Sequence, residues 1–440
     1  MVGNNNSNFC HSYPTWANAC VGNNGNPGYY EYSKGFSLAA NLLIEQVTSR
    51  KEEANIDDLI YPVCFNMRHS VELRLKGAIQ EISFIAELKE TKLQFDLSGS
   101  HDIGNIWKFL KEHSEKLDGR YKEINGLIDE TISDIADVDA TGQTFRYPAS
   151  TESIKHLTDV AVINFFQLKN KFEELEKNLD NLHKLNLWLK QEYSHGTFTS
   201  KLSRPTLYKL ARDLPLKSEW SETGFSLKKQ EIMNKYGISS NDLTKGIKKI
   251  QGQYYLSSLI GVNLPLKGIT PDQLVFFLDQ WVPQNADSLK PSEPNLGLGL
   301  DCWERHKFML DSMKETQITR ELVWIEFEDK LTPEYLAGLS AIYYFARDKT
   351  FVEIYDTIYS ESLSEIWMSF KLGKEYVKEK FMHIFDKTNA LSNIVTSLFA
   401  LGHRNLAETI IGRFGVDSSL NWVERSRSGG AFAFPDYAKY

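Results

Sequence analysis

Between Tyr61 and Lys76 the chain carries a helix-forming run that is apolar on more than one side and yet contains a stripe of charge. Arg68, Glu72 and Lys76 are spaced by four, and His69 precedes Glu72 by three, so all four fall on or beside one helical face. Val63, Met67, Leu73 and Ile79, with Val71 and Leu75 nearby, give the same helix further apolar surfaces. A helix that is apolar on several sides belongs in an interior. Charges in an interior have to be paired or hydrogen-bonded, because an isolated one costs on the order of several kcal/mol or simply neutralises. The stripe is therefore either an internal ion-pair lock or the wall of a functional cleft, and the residues alone leave both open.

The 440 residues are long for one core, which predicts two or three domains. With 42% hydrophobic and 25% charged residues, the chain reads as globular rather than disordered or membrane-spanning. A formal net charge of −8 excludes nucleic-acid binding through the whole surface; such binding needs a local basic patch. No run is long and apolar enough for a membrane span, and the Asn-rich start lacks the order of a signal peptide. Four cysteines in this length fit reduced thiols, so the expected location is cytoplasmic. Cys10, His11 and Cys20 have no matching second ligand pair, so no metal is expected. Phosphate-binding glycine loops, Gly-x-Ser-x-Gly and His-Glu-x-x-His are absent from the sequence, and no cofactor is expected.

The pattern along the chain predicts a mainly α protein in five stretches. Residues 1–28 read as an irregular Asn/Gly-rich arm, with Tyr13 and Trp16 as anchors onto the first domain. Residues 29–200 read as a helical bundle. Phe36, Ala39, Ala40, Leu43, Ile44 and Val47 mark its first helix. Asp57 or Asp58 is the expected cap of the second, which has Pro62 in its early turns and runs to about Leu88. Ser100 or Asp102 is the expected cap of the helix carrying Ile103, Ile106, Trp107 and Leu110. A less periodic acidic stretch follows over 129–139. Then Leu168, Phe172, Leu175, Leu179, Leu182 and Leu189 make a long helix in alternating four- and three-residue steps, broken by Asn186 and ending near His195. That spacing also keeps a homo-oligomer open.

Residues 201–282 read as a basic helical segment. Eleven Lys or Arg stand against five acids between Lys201 and Lys249, on an otherwise acidic chain. Residues 283–330 read as a linker, in which Glu321–Phe327 alternates well enough for a lone strand but fits helix equally. Residues 331–440 read as a C-terminal helical module without a fixed repeat, including one helical stretch over Leu363–Phe385.

Pro62, Arg68, His69, Glu72, Leu73, Leu75 and Lys76, followed by His101 and Asp102 before Ile103 and by the Phe145–Pro148 turn, resemble one bacterial branch of the HEPN (higher eukaryotes and prokaryotes nucleotide-binding) helical domains. The resemblance covers about residues 29–200. It implies a helical bundle, often dimeric, in proteins of bacterial stress response and anti-phage defence, with RNA cleavage as the commonest activity. Catalytic members carry an Arg followed four to six residues later by His; no Arg in this chain is followed by His at that distance.

Two functions are thus expected in competition. The first is an RNA-directed effector acting as a metal-independent ribonuclease. His69 would be the base, His101 the acid, Arg68 or Lys76 the phosphate contact, and Glu72 the group orienting an imidazole. The second is a non-catalytic helical adaptor that binds a partner protein or nucleic acid in a defence complex, with the charged stripe as structural glue. For either, Arg204, Lys209, Lys228, Lys229, Lys248 and Lys249 are the candidate nucleic-acid contacts. Tyr208, Tyr236, Tyr254 and Tyr255 are the candidate stacking partners for unpaired bases.

Overall fold

A computed structural model describes residues 8–22, 25–49, 55–149, 155–222, 224–291, 317–347, 350–429 and 435. Most of the expected linker, over 292–316, and nearly all of the tail beyond 429 lie outside the described residues. The chain divides into two compact units, Met1–Ser194 and His195–Tyr440. Among the described residues every regular element is helical, apart from an isolated antiparallel bridge between Ala149 and Lys155. No described helix is long and apolar enough to cross a membrane.

The first unit is a bundle of α1 (Tyr29–Ser49), α2 (Ile56–Leu88), α3 (Ile103–Leu117), α4 (Tyr121–Asp139) and α5 (Phe165–Ser194). Helix α2 packs against α1, α3 and α5, which accounts for its several apolar faces. Val63, Val71, Leu75 and Ile82 on α2 are fully buried with Ile44 of α1, Ile106 of α3, Ile128 of α4 and Leu189 of α5. Truncating one such leucine to alanine costs ~2–5 kcal/mol.

Helix α2 starts one residue before Asp57 and Asp58, so these are first-turn acids facing the helix dipole and not its cap. Asp102 is the cap of α3, its side chain accepting from Asn105 N at 2.8 Å. The acidic stretch 129–139 is the latter part of α4. Its acids mostly face outward, while Ile124, Ile128 and Ile132 at four-residue spacing face the core. Asn186, the break in the heptad of α5, is fully buried in a polar network. It accepts from the Tyr121 hydroxyl at 2.6 Å and donates to Glu81 Oε2 at 2.6 Å. Tyr13 and Trp16 are not anchors: both are strongly exposed. Their segment folds on itself through the Asn18 side chain, which bonds Ser12 and Thr15.

The second unit has a smaller and a larger core. The smaller gathers α6 (Arg204–Asp213), α7 (Gly224–Tyr236), α8 (Ser240–Gln251) and α9 (Tyr254–Leu259) around Leu207, Leu210, Leu243, Ile250 and Leu256. Ser239 and Asp242 form a reciprocal capping box at the start of α8. The larger core involves α10 (Pro271–Trp281), α11 (residues 317–327), α12 (Pro333–Phe345), α13 (Ile354–Leu372), α14 (Lys374–Phe385), α15 (Ala390–Ala400), α16 (Arg404–Phe414) and α17 (Asn421–Arg427). Glu321–Phe327 is helical rather than a strand, because Val323, Trp324 and Phe327 share one buried helical face. The single helix expected over Leu363–Phe385 is two, broken at Gly373, whose φ of +121° suits glycine alone.

Candidate functional site

The charged stripe of α2 closes on itself. Arg68, Glu72 and Lys76 are 3%, 3% and 4% exposed. Glu72 is the hub: Oε2 accepts from Arg68 Nη1, and Oε1 accepts from Lys76 Nζ at 2.8 Å. His101 Nδ1 lies 3.0 Å from the same Oε1, and a carboxylate only accepts, so this nitrogen carries the proton. Burial raises the Glu72 carboxyl, but hydrogen bonds from Lys76 and Arg68 and the Arg68 charge outweigh it, so the pKa falls below the ordinary value.

The rest of the Arg68 guanidinium serves backbone. Nε donates to the carbonyl of Asp139 at 3.0 Å, and Nη2 donates to the carbonyls of Ala140, at 2.7 Å, and His101. Carbonyls at a helix C-terminus lack intrahelical partners, and a cation there meets the negative end of the dipole. Arg68 thereby caps α4 from another helix. The turn that follows has to let it in. Gly142 has φ +78°, and a Cβ on it would sit 3.2 Å from Arg68 Nη1. Asp139 steadies the turn by accepting from Thr144 N at 3.0 Å through Oδ1.

His69 takes no part in this cluster. Its ring packs edge-on to Phe36, with centroids 4.4 Å apart, and stacks with Phe65 at 5.7 Å. Burial lowers its pKa; Glu72 opposes this, while Arg68, Arg146 and Lys76 add to it. The imidazole is therefore neutral near pH 7. His101 is exposed at its ring apart from the contact with Glu72.

Of the five expected catalytic residues, then, four meet around one carboxylate and His69 sits in an aromatic slot. The expected phosphate contact through Arg68 or Lys76 is corrected: both cations are buried, and their donors go to Glu72 and to main-chain oxygens. Beside them lies a cavity of about 390 Å³ that reaches Arg68 and Asp139 and is walled mainly by apolar side chains such as Met67, Ile135, Val138 and Phe172. Cys64 also lines it, its thiol pushed up to about 12 by burial and by the Asp139 charge, which makes it inert.

A second buried network joins the α3–α4 turn to α5. Arg120 bonds both Asp118 and Glu192, with Nη2 2.9 Å from Asp118 Oδ2 and 2.6 Å from Glu192 Oε1, and Tyr193 donates to Asp118 at 2.8 Å. The spacing of Asp118 and Arg120 resembles any surface pair, and Glu192 is 72 residues away from Arg120.

Among the basic candidates, Arg204 is corrected. It is 1% exposed, with Nη1 2.6 Å and Nη2 2.9 Å from the two oxygens of Glu353, which also accepts from Thr197. Tyr208 and Tyr254 are also buried, so their rings cannot stack on bases from solvent. Lys228 pairs with Glu231 at 3.0 Å, Lys229 lies 4.5 Å over the Phe225 ring, and Lys249 donates to the carbonyl of Gly196 at 2.6 Å. Lys209 and Lys248 are exposed and in no ion pair among the described residues. Lys245, not singled out from the sequence, is also exposed, one turn before Lys248 and Lys249, so α8 presents three lysines on one face.

Cys10, Cys20 and Cys64 are free thiols, and among the described residues no group of three His, Cys, Asp or Glu is placed to hold a metal ion. Comparison with protein-family models, with curated proteins and with solved structures finds no match to this chain.

Proposed function

We propose that this chain is a non-catalytic helical adaptor that binds RNA within a bacterial defence or stress complex. In this reading the α2 stripe is a lock, and the lysine face of α8 is the contact. The observation that carries the reading is the closure of Arg68, Glu72 and Lys76. Metal-independent cleavage needs a cation free to meet developing phosphorane charge between a base and an acid. Here the cations are spent on the hub carboxylate and on carbonyls, and His69 is held between two phenyl rings. Lys245, Lys248 and Lys249 supply phosphate neutralisation where the acidic chain otherwise repels it. The defence setting rests on the resemblance of residues 29–200.

The test has two arms. Full-length protein incubated with RNA in EDTA is expected to cleave no faster than its His69→Ala and His101→Ala variants. Cleavage by the parent that both variants lose would overturn the reading in favour of a ribonuclease. In the second arm Lys245→Glu/Lys248→Glu is expected to weaken single-stranded RNA binding and to reduce the salt slope by about 1.4, at roughly 0.7 per phosphate contact. An unchanged affinity and slope would remove α8 as the contact.

A further inference from the structure

The first unit holds a cleft of about 750 Å³ between the first turns of α2, the 144–148 turn, the 155–163 stretch and the start of α5. It is a different opening from the closed cluster of α2, and the proposal made for it does not depend on RNA binding. Four aromatic rings line it, those of Tyr61, Phe145, Tyr147 and Phe165, and the two tyrosines are about half exposed, at 47% and 53%. Arg146, Lys155 and His156 line it too, and among the described residues the carboxylate facing them is that of Asp57. The backbone brings these basic groups together. Ala149 and Lys155 form the antiparallel bridge, and His156 N donates to the carbonyl of Pro148 at 3.3 Å, which sets His156 beside the Arg146–Pro148 turn.

Among the described residues neither Arg146 nor Lys155 is in an ion pair; the Arg146 guanidinium lies 5.1 Å over the Phe65 ring, which leaves its donors open. His156 Nε2 is shut off from solvent and, among the described residues, has no hydrogen-bond partner. Polar atoms removed from water are nearly always bonded, so an unpaired one at a cleft wall is a place a ligand group satisfies. Half-exposed tyrosine faces beside convergent cations match a flat ring carrying negative charge, since ring stacking and charge-assisted hydrogen bonds then act on one molecule.

We propose that this cleft binds a small aromatic anion, its ring stacked on Tyr147 and Tyr61 and its anionic group met by Arg146, Lys155 and His156. Isothermal titration of the full-length protein with phenyl phosphate, inorganic phosphate and benzyl alcohol tests it. Phenyl phosphate is expected to bind at least about tenfold more tightly than either of the others. Arg146→Ala/Lys155→Ala should weaken phenyl phosphate by about tenfold or more, and Tyr147→Ala should bring it down to the level of inorganic phosphate. These side chains are on the surface, and a thermal melt of each variant confirms folding; Lys155→Glu repeats the anion arm with a single exposed change. Equal binding of all three probes, no binding of phenyl phosphate, or a double variant with the parent's affinity would each overturn the proposal. Displacement of phenyl phosphate by a short unphosphorylated RNA would overturn the small-molecule assignment in favour of a polynucleotide site.

Discussion

Arg68 reaches from the middle of α2 to the last turn of α4, where its Nε lies 3.0 Å from the main-chain oxygen of Asp139. One side chain thus completes an ion pair on its own helix and terminates another. Its removal should be felt in both places. Arg68→Met is expected to destabilise the protein by ~3–5 kcal/mol, because it takes the guanidinium from the buried Glu72, leaving it Lys76 and His101, and leaves the C-terminal carbonyls of α4 without their cap. Glu72→Gln should cost a similar amount by leaving two cations without their hub. The triple change Arg68→Met/Glu72→Leu/Lys76→Met should cost clearly less than the sum of the singles, since the hub leaves with its cations and only Asp139, 3.9 Å from Arg68 Nε, loses a partner. Urea denaturation followed by circular dichroism measures all three; additive losses would contradict a closed cluster.

The acid limb of stability should carry two signatures. Glu72 is held below the ordinary carboxylate range, because the Lys76 and Arg68 contacts overcome its burial. Its stabilisation is complete above the unfolded value of about 4.3 and is lost as pH falls through the folded one. His69 is held below the ordinary imidazole value by burial. The unfolded chain then takes up a proton first, so this contribution is present above about pH 6.5 and declines below it. His69→Phe should flatten the decline just below pH 6.5, and Glu72→Gln the decline below pH 4.3; melting temperature against pH distinguishes them. A parent curve that stays flat down to pH 4.5 would rule out the histidine component.

Two glycines should respond in opposite directions. Gly142 has φ +78°, and a methyl there would crowd Arg68 Nη1 at 3.2 Å. Gly142→Ala is therefore expected to cost ~1–2 kcal/mol or more from the backbone alone. Gly126 lies inside α4 with nothing within 4 Å of an added Cβ, so Gly126→Ala should stabilise by ~0.5–1 kcal/mol. Thermal melts of the two variants, run side by side, check the sign of each.

Asn186 interrupts an apolar heptad, and filling the gap should not help. Asn186→Leu is expected to destabilise by ~1–3 kcal/mol, because the Tyr121 hydroxyl and one Glu81 oxygen lose their partner in the interior. Adding Tyr121→Phe should recover part of that loss, since the stranded hydroxyl goes with it. A double-mutant cycle by chemical denaturation gives the coupling, and a coupling near zero would mean that the network contributes nothing.

What could be read from the residues follows the range of each interaction. The heptad of α5, the cap at Asp102 and the burial of α2 are local or periodic, and the residues that cause them lie within one or two turns of one another. The pairing of Glu72 with Arg68 and Lys76 is legible for the same reason, as one of two alternatives. The partners of Arg68 at Asp139 and Ala140 are 71 and 72 residues away, and main-chain oxygens leave no mark in a sequence. Arg204 is hidden in the same way: its place in a basic stretch points to solvent, while its partner Glu353 lies 149 residues downstream. The acids of α4 mask the four-residue spacing of the isoleucines beneath them. Apolar spacing on both sides of Gly373 hides the left-handed turn between two helices.

The hub carboxylate of α2 also has a bearing on how the bundle finds one arrangement. Apolar faces are forgiving, and a helix can slide by a turn, about 5.4 Å, and still meet leucine and isoleucine. The guanidinium of Arg68 cannot, because its donors match carbonyl oxygens at two separate chain positions. Any shifted pairing would strand three charges in a dry interior, so α2 works as a keyed shaft that admits the neighbouring helices in a single alignment.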